Sequence, residues 1–159
     1  KEARGGLAFL AGLMHDIGKL LLLQAGEDEY RALGAALAGE PDRVHLRERE
    51  LLSFDHAVLG GHVLDRWQIP DPVPRVVAWH HQPTRAYAQR DEGGLLVALL
   101  RLSDQIEYLL RSDVAPDAAE LSRLAESPDG VYAGWEAREL GKSWGELVRA
   151  RDEALALFR

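Results

Sequence analysis

Apolar residues recur along this chain at intervals of three and four, in blocks separated by Gly, Pro and Asp, while strand-like alternation is scarce. The pattern predicts an all-α fold. One helix, or a helix broken near Gly18, is expected over residues 6–24 and a second over 28–37. After a loop at 39–44, a third helix carries SFDHAVLGGHVLDRW and ends before Ile69 and Pro70. Asp71 is the expected N-cap of the next segment, with Pro72 at its first helical position and Pro83 closing it. Residues 92–111 make the longest periodic block; beyond it come 118–125, SPDGVYAGWEAREL and SWGELVRARDEALALFR. Ser143 and Glu146 have capping-box spacing for the last of these. A composition shift near Asp113 divides the chain into a helical domain over 1–112 and a C-terminal helical extension over 113–159. In the extension Trp144, Leu147, Val148, Leu155 and Phe158 form an apolar stripe interrupted by Arg151, which must dock on the domain or on a partner.

The helical period also sorts the ionisable groups. Positions three, four and seven apart share a face, so His56 lies with Gly60, Val63 and Trp67 and points inward. His62 is turned about 240° away and points out or sideways. Gly60 and Gly61 remove bulk where another helix or a metal site could approach. His80 continues the face of Val73, Val76 and Val77, His81 follows Val77 by one turn, and Asp104 sits on the stripe Val97, Leu100, Tyr108. With His15 and Asp16 in GLMHDIGKLLLL, four segments aim imidazoles or carboxylates at apolar surroundings. An unpaired buried carboxylate is costly, so these groups need partners. Two arrangements satisfy them: a divalent-metal centre, or a buried ion-pair network with His and Lys partners.

Composition narrows the chemistry further. The 159 residues suffice for one ordinary core, and the absence of cysteine excludes disulfides, zinc-thiolate sites and cysteine nucleophiles. A formal charge of −7 disfavours nucleic acid, and the arginines Arg43, Arg47 and Arg49 are diluted by Asp42, Glu48 and Glu50. Glu48 and Glu50 lie just upstream of His56 and either serve the pocket or, the favoured reading for the alternating charges of RERE, form a solvated charged turn. The continuous apolar runs at 20–23 and 95–100 are too short to span a membrane and no leader opens the chain, so a cytoplasmic location is expected. The start at Lys1 suggests a piece of a longer protein.

AFLAGLMHDIGKLLLL (8–23), FDHAVLGGHVLDRWQIPDPVPRVVAWHHQP (54–83) and LLVALLRLSDQIEYLL (95–110), in that order, resemble the HDOD domain, the signalling-associated branch of the HD metal-dependent phosphohydrolase superfamily. The resemblance covers about two-thirds of the chain. It implies a compact helical bundle with additional C-terminal helices and a pocket for one or two divalent ions, Fe, Mn, Ni or Zn. His15, Asp16 and Asp104 match the superfamily's ligand places. His56, His80 and His81 resemble the further histidines of the more distantly similar HD-GYP phosphodiesterases, with Asp16 as the bridge. Lys19 matches the lysine of HDxGK, facing a phosphate oxygen, so Asp16 and Lys19 are the catalytic candidates. Two departures stand: the upstream helix that usually brings another histidine is not contained in this sequence, and HHQPTRAYAQRDEGG lacks the GYP signature. The expected function is an HDOD-type regulatory domain retaining the metal pocket and phosphohydrolase ancestry, with a nucleotide or phosphate-ester ligand and a protein partner or fused signalling domain. The alternative is an active phosphodiesterase acting on a cyclic nucleotide, cyclic dinucleotide or nucleoside phosphate.

Overall fold

The computed structural model describes residues 2–37, 43–112 and 114–156, the side chains of residues 2–4 and 27 aside. It is helical throughout, with no strand among the described residues. The chain divides inside one long helix into two compact units, one ending at Leu100 and the other beginning at Arg101. The expected boundary at Asp113, the loop residues 39–42 and the apolar Phe158 lie outside the described residues.

The first unit contains α1 (Glu2–Met14), α2 (Ile17–Ala25), α3 (Glu27–Ala36), α4 (Val44–Leu52), α5 (His56–Arg66), α6 (Val73–Trp79), α7 (Pro83–Ala88) and the first half of α8 (Glu92–Leu110). Its core gathers Ala11, Leu64, Val73, Val76, Val77, Ala86, Leu96, Val97 and Leu100, with Ile17 and Trp79 packed against it. Leu64, Val73, Val76 and Val77 are fully buried, each such side chain contributing about 1.5–3 kcal/mol by leaving water. The approach of α5 to its neighbours depends on glycine. A Cβ on Gly18 would stand 1.9 Å from the His56 carbonyl oxygen, and one on Gly61 would stand 2.6 Å from both the Ala78 Cβ and the Pro74 carbonyl oxygen. The GG pair of α5 is therefore a packing device, as its position on the helix face suggested.

Several boundaries move. The expected break near Gly18 falls earlier, at His15 and Asp16, which form a turn between α1 and α2. The single helix expected to carry His56 is two helices: Ser53 adopts the left-handed conformation at φ 68° and ends α4, and Asp55 starts α5 by accepting a hydrogen bond from Val58 N at 2.8 Å. Pro72, not Asp71, is the N-cap of α6, following a cis Asp71–Pro72 bond, and Pro83 opens α7 as well as closing the preceding segment.

In the second unit, α9 (Ala118–Glu126), α10 (Pro128–Ala133) and α11 (Ala137–Ala156) pack with the second half of α8. Ile106, Leu110, Leu124 and Leu140 form the core, with Trp144, Leu147 and Val148 of the last helix's stripe packed against it within the unit, while Leu155 is half exposed. Arg151, which interrupts that stripe, donates to the Leu110 carbonyl at the end of α8. The capping box expected at Ser143 is absent, because α11 runs unbroken through that residue. The capping box lies instead at Asp117 and Glu120, at the start of α9.

The expected burial of Asp104 is also corrected: its side chain is exposed. The stripe Val97, Leu100, Asp104, Tyr108 is buried only in its first half, and Tyr108 is 71% exposed. In the second unit the buried face of α8 is Leu102, Ile106 and Leu110, and Asp104, two residues from Leu102, lies about 200° round the helix from it.

Candidate metal centre

Five of the six histidines meet in the first unit. His15 and Asp16 stand in the turn between α1 and α2, His56 begins α5, and His80 and His81 follow the end of α6. The His80 ring centroid lies 5.4 Å from His15, 5.5 Å from His56 and 4.0 Å from His81. The sixth, His62, is exposed, as its helical phase requires. His56, His80 and His81 each offer a ligand atom, all within 4.8 Å of one another.

Local hydrogen bonds decide which nitrogen each ring presents. His15 Nδ1 lies 2.7 Å from the Gly12 carbonyl oxygen, and His80 Nδ1 lies 2.7 Å from that of Val77. A carbonyl can only accept, so each Nδ1 carries the proton and leaves Nε2 as the lone-pair nitrogen of the neutral ring. His56 Nδ1 is held in the same way, 2.6 Å from Glu48 Oε2. Asp16 sits among the Nε2 atoms: its Oδ1 is 3.3 Å from His56 Nε2 and its Oδ2 is 3.5 Å from His15 Nε2. Lys19 donates to Oδ2 at 2.8 Å. His81 Nε2 lies 3.0 Å from His56 Nε2, and two imidazole nitrogens that close need a proton or a cation to relieve their lone-pair repulsion.

The electrostatics follow from this crowding. Burial pushes the Asp16 carboxyl upward, but the His56 hydrogen bond, the charge of His15 and the Lys19 ammonium outweigh it and hold the group well below the usual carboxylate range. Burial drives His80 down to about 4, despite the Val77 carbonyl. His81 is also driven down, by burial and then by its neighbouring imidazoles. His56 moves the other way: burial disfavours its cation, while Asp16 and Glu48 together prevail. The centre thus offers an ionised carboxylate and at least two neutral imidazoles near neutral pH, a donor set suited to Fe, Mn, Ni or Zn. Nitrogens already oriented by oxygen acceptors are the usual state of metal-binding histidines.

Of the residues expected at the site, His15, Asp16, Lys19, His56, His80 and His81 come together, whereas Asp104 belongs to the second unit. Sequence reasoning misses His45 and favours the wrong one of its two readings for Glu48. Glu48, expected in a solvated charged turn, is fully buried and hydrogen-bonded to both His56 and Tyr30; Glu50 does face solvent, paired with Arg47 at 2.5 Å. His45 stacks flat on His81, with ring centroids 4.0 Å apart and planes within 5°. The available signal was the shared face of residues 45 and 48, three apart on one helix.

An uncharacterized protein of Treponema pallidum (strain Nichols) is 24% identical to this chain over 74 residues, covering 46% of the chain but only 14% of that protein. No solved structure matches the chain. A family model for the HDOD domain matches residues 1–83, the segment that carries the HD doublet, His56 and the His80–His81 pair. With more than half of its length aligned to that family and those side chains gathered in one unit, the chain belongs to the HDOD domain family.

Proposed function

We propose that the first unit is an HDOD-type signalling or regulatory module that holds one or two divalent ions at His15, Asp16, His56, His80 and His81 and receives a phosphate ester or nucleotide beside Lys19. The observation that carries this reading is the common orientation of His15, His56 and His80, each committed through Nδ1 to an oxygen while Asp16 lies within 3.3–3.5 Å of two of their Nε2 atoms. An ion-pair network of Asp16 with Lys19 and His56 accounts for part of this arrangement, but it does not require the Nδ1 of both His15 and His80 to be held by a backbone carbonyl, leaving Nε2 as the donor atom. When bound, a divalent cation supplies Lewis acidity toward a phosphoryl oxygen and a lowered pKa for a coordinated water. The protein's own groups then have distinct tasks. Asp16 remains ionised, His80 remains neutral, and Lys19, part-exposed beside Asp16, offers a cation to a phosphate oxygen.

A second reading, turnover of a cyclic nucleotide, cyclic dinucleotide or nucleoside phosphate, is favoured by Lys19, because a purely structural pocket has little use for a solvent-accessible ammonium at its rim. The likeness to HD-GYP phosphodiesterases extends to the histidine pair but not to the GYP signature, so the cyclic-dinucleotide substrate is the weakest of the three. The cytoplasmic location belongs to the same proposal. The stretch Gly5–Ala25 is apolar enough, by length and composition, to cross a membrane, but it is interrupted by His15 and Asp16, whose side chains are engaged with His80 and His56.

Elemental analysis of protein purified without a metal-binding tag tests the first reading. Bound Fe, Mn, Ni or Zn is expected in the wild type and strongly reduced in Asp16→Ala; equal metal in two folded proteins would remove the proposed centre. Assays of the metal-loaded protein against the three phosphate-ester classes, with Asp16→Ala as control, decide the second. Weak or no turnover is expected of the regulatory module, and robust Asp16-dependent turnover establishes the enzyme.

A further inference from the structure

The helix α4 lies outside the HD doublet and the histidine pair, yet it presents two side chains to the cluster. Residues 45 and 48 stand one turn apart and share a face. Glu48 Oε2 accepts a hydrogen bond from the His56 backbone N–H at 2.8 Å and lies 2.6 Å from His56 Nδ1, while Glu48 Oε1 accepts from the Tyr30 hydroxyl at 2.5 Å. His45 lies flat against His81. The next residue of α4, Arg49, donates to the buried Asp55 at 2.6 Å, and Asp55 is the side chain that caps α5. Adjacent residues of α4 therefore grip the first turn of α5, where His56 begins.

Packing alone does not account for this arrangement. An apolar side chain of similar size would fill the place of Glu48 without desolvating a carboxylate, and buried ionic groups are seldom the most stabilising way to occupy a core. What the carboxylate adds is direction. By taking the His56 Nδ1 proton it leaves Nε2 on the side of Asp16 and His81. The flat contact of His45 restricts a different coordinate, the plane of the His81 ring.

We propose that α4 is the positioning element of this site, in which Glu48 fixes the tautomer and aim of His56 and His45 holds the ring plane of His81, keeping their Nε2 atoms together for a divalent cation. This rests on the metal-binding reading above, and Glu48 and His45 act through the two histidines rather than as ligands themselves.

The test measures Zn2+ affinity by competition with a chromophoric chelator, the d–d absorption of the Co2+-loaded protein, and the melting temperature of the metal-free protein. Glu48→Gln keeps an amide oxygen for His56 and an amide N–H for the Tyr30 oxygen, so it removes charge with little change of shape. Affinity is expected to fall about 10–100-fold with an altered Co2+ spectrum, because a neutral amide holds the His56 N–H less firmly than a carboxylate and no longer raises the basicity of the ring, while the metal-free melting temperature stays near wild type. His45→Phe, which preserves the flat contact, should bind Zn2+ as the wild type does, and His45→Ala should bind several-fold more weakly. Wild-type affinity and spectrum in Glu48→Gln overturn the role of Glu48. Equal losses in His45→Phe and His45→Ala make His45 a ligand and overturn its positioning role. Should Glu48→Gln not fold, Tyr30→Phe, which frees Oε1 of Glu48, must shift the Co2+ spectrum, and an unchanged spectrum overturns the proposal. A wild-type protein that takes up neither Zn2+ nor Co2+ removes the metal-binding reading itself, an outcome distinct from all of these.

Discussion

His56 depends on a residue that contributes no side chain. Gly18, in the first turn of α2, faces the His56 backbone so closely that an added Cβ would lie 1.9 Å from its carbonyl oxygen and 2.9 Å from its Cα. The obstructing atoms are backbone, so no rotamer change can relieve the clash, and either α2 or the start of α5 must move. Gly18→Ala is therefore expected to destabilise the first unit by about 1–3 kcal/mol, the range for overpacking a close-fitted interior, seen as a lower denaturant midpoint by circular dichroism. Because the displaced segment carries His56 on one side and follows Asp16 on the other, metal content should fall along with stability. A midpoint equal to the wild type would show that the α2–α5 approach is looser than these distances state. Conversely, Gly12→Ala, in α1 where a Cβ meets nothing within 4 Å, should leave the midpoint unchanged or raise it slightly.

At the scale of the helix, local signals and packing signals part company. Ser143 and Glu146 satisfy the capping-box pattern, but α11 passes through them, and the same pattern at Asp117 and Glu120 is a genuine helix start with both reciprocal hydrogen bonds, 2.8 and 3.0 Å. Asp117→Ala should cost about 0.5–2 kcal/mol, while Ser143→Ala, in an exposed helix interior, should be neutral or stabilising by a few tenths of a kcal/mol. Denaturant titration of the two variants side by side checks the contrast, and a larger loss at Ser143 would mean that α11 is broken there. The same distinction explains what could be read in advance. The burial of His56 and His80 and the exposure of His62 are legible in the sequence, because a period of 3.6 on an amphipathic helix suffices to say which side each takes. Glu48 was misread because RERELL has no clear apolar face, and its burial is created by Ser53. The left-handed residue at φ 68° ends α4 and lets α5 begin three residues later, bringing Glu48 under His56. Nothing in the local charge pattern encodes that reversal. A serine in the left-handed region is uncommon, so the turn was not signalled by the glycine that usually marks one.

Across the whole chain, α8 is one helix shared by two compact units, and that sharing is what the periodic pattern concealed. Residues 93, 94, 96–98 and 100 are buried on almost every side of the helix in the first unit, whereas in the second only the face of Leu102, Ile106 and Leu110 is covered. A continuous apolar stripe cannot reveal where the surroundings of a helix change, and Asp104 falls just beyond the change. Its exposure removes one of the two grounds that made it a candidate ligand, the cost of burying a carboxylate without a partner, and leaves the family resemblance as the other. The five residues His15, Asp16, His56, His80 and His81 all lie in the first unit, and they already supply more donors than one four-coordinate ion requires. Asp104→Asn is accordingly expected to retain the metal content and Zn2+ affinity of the wild type, while Asp16→Ala loses most of both. Elemental analysis and chelator competition on the same two variants read the difference. Metal loss in Asp104→Asn as large as that in Asp16→Ala, with the protein folded, would return Asp104 to the ligand set.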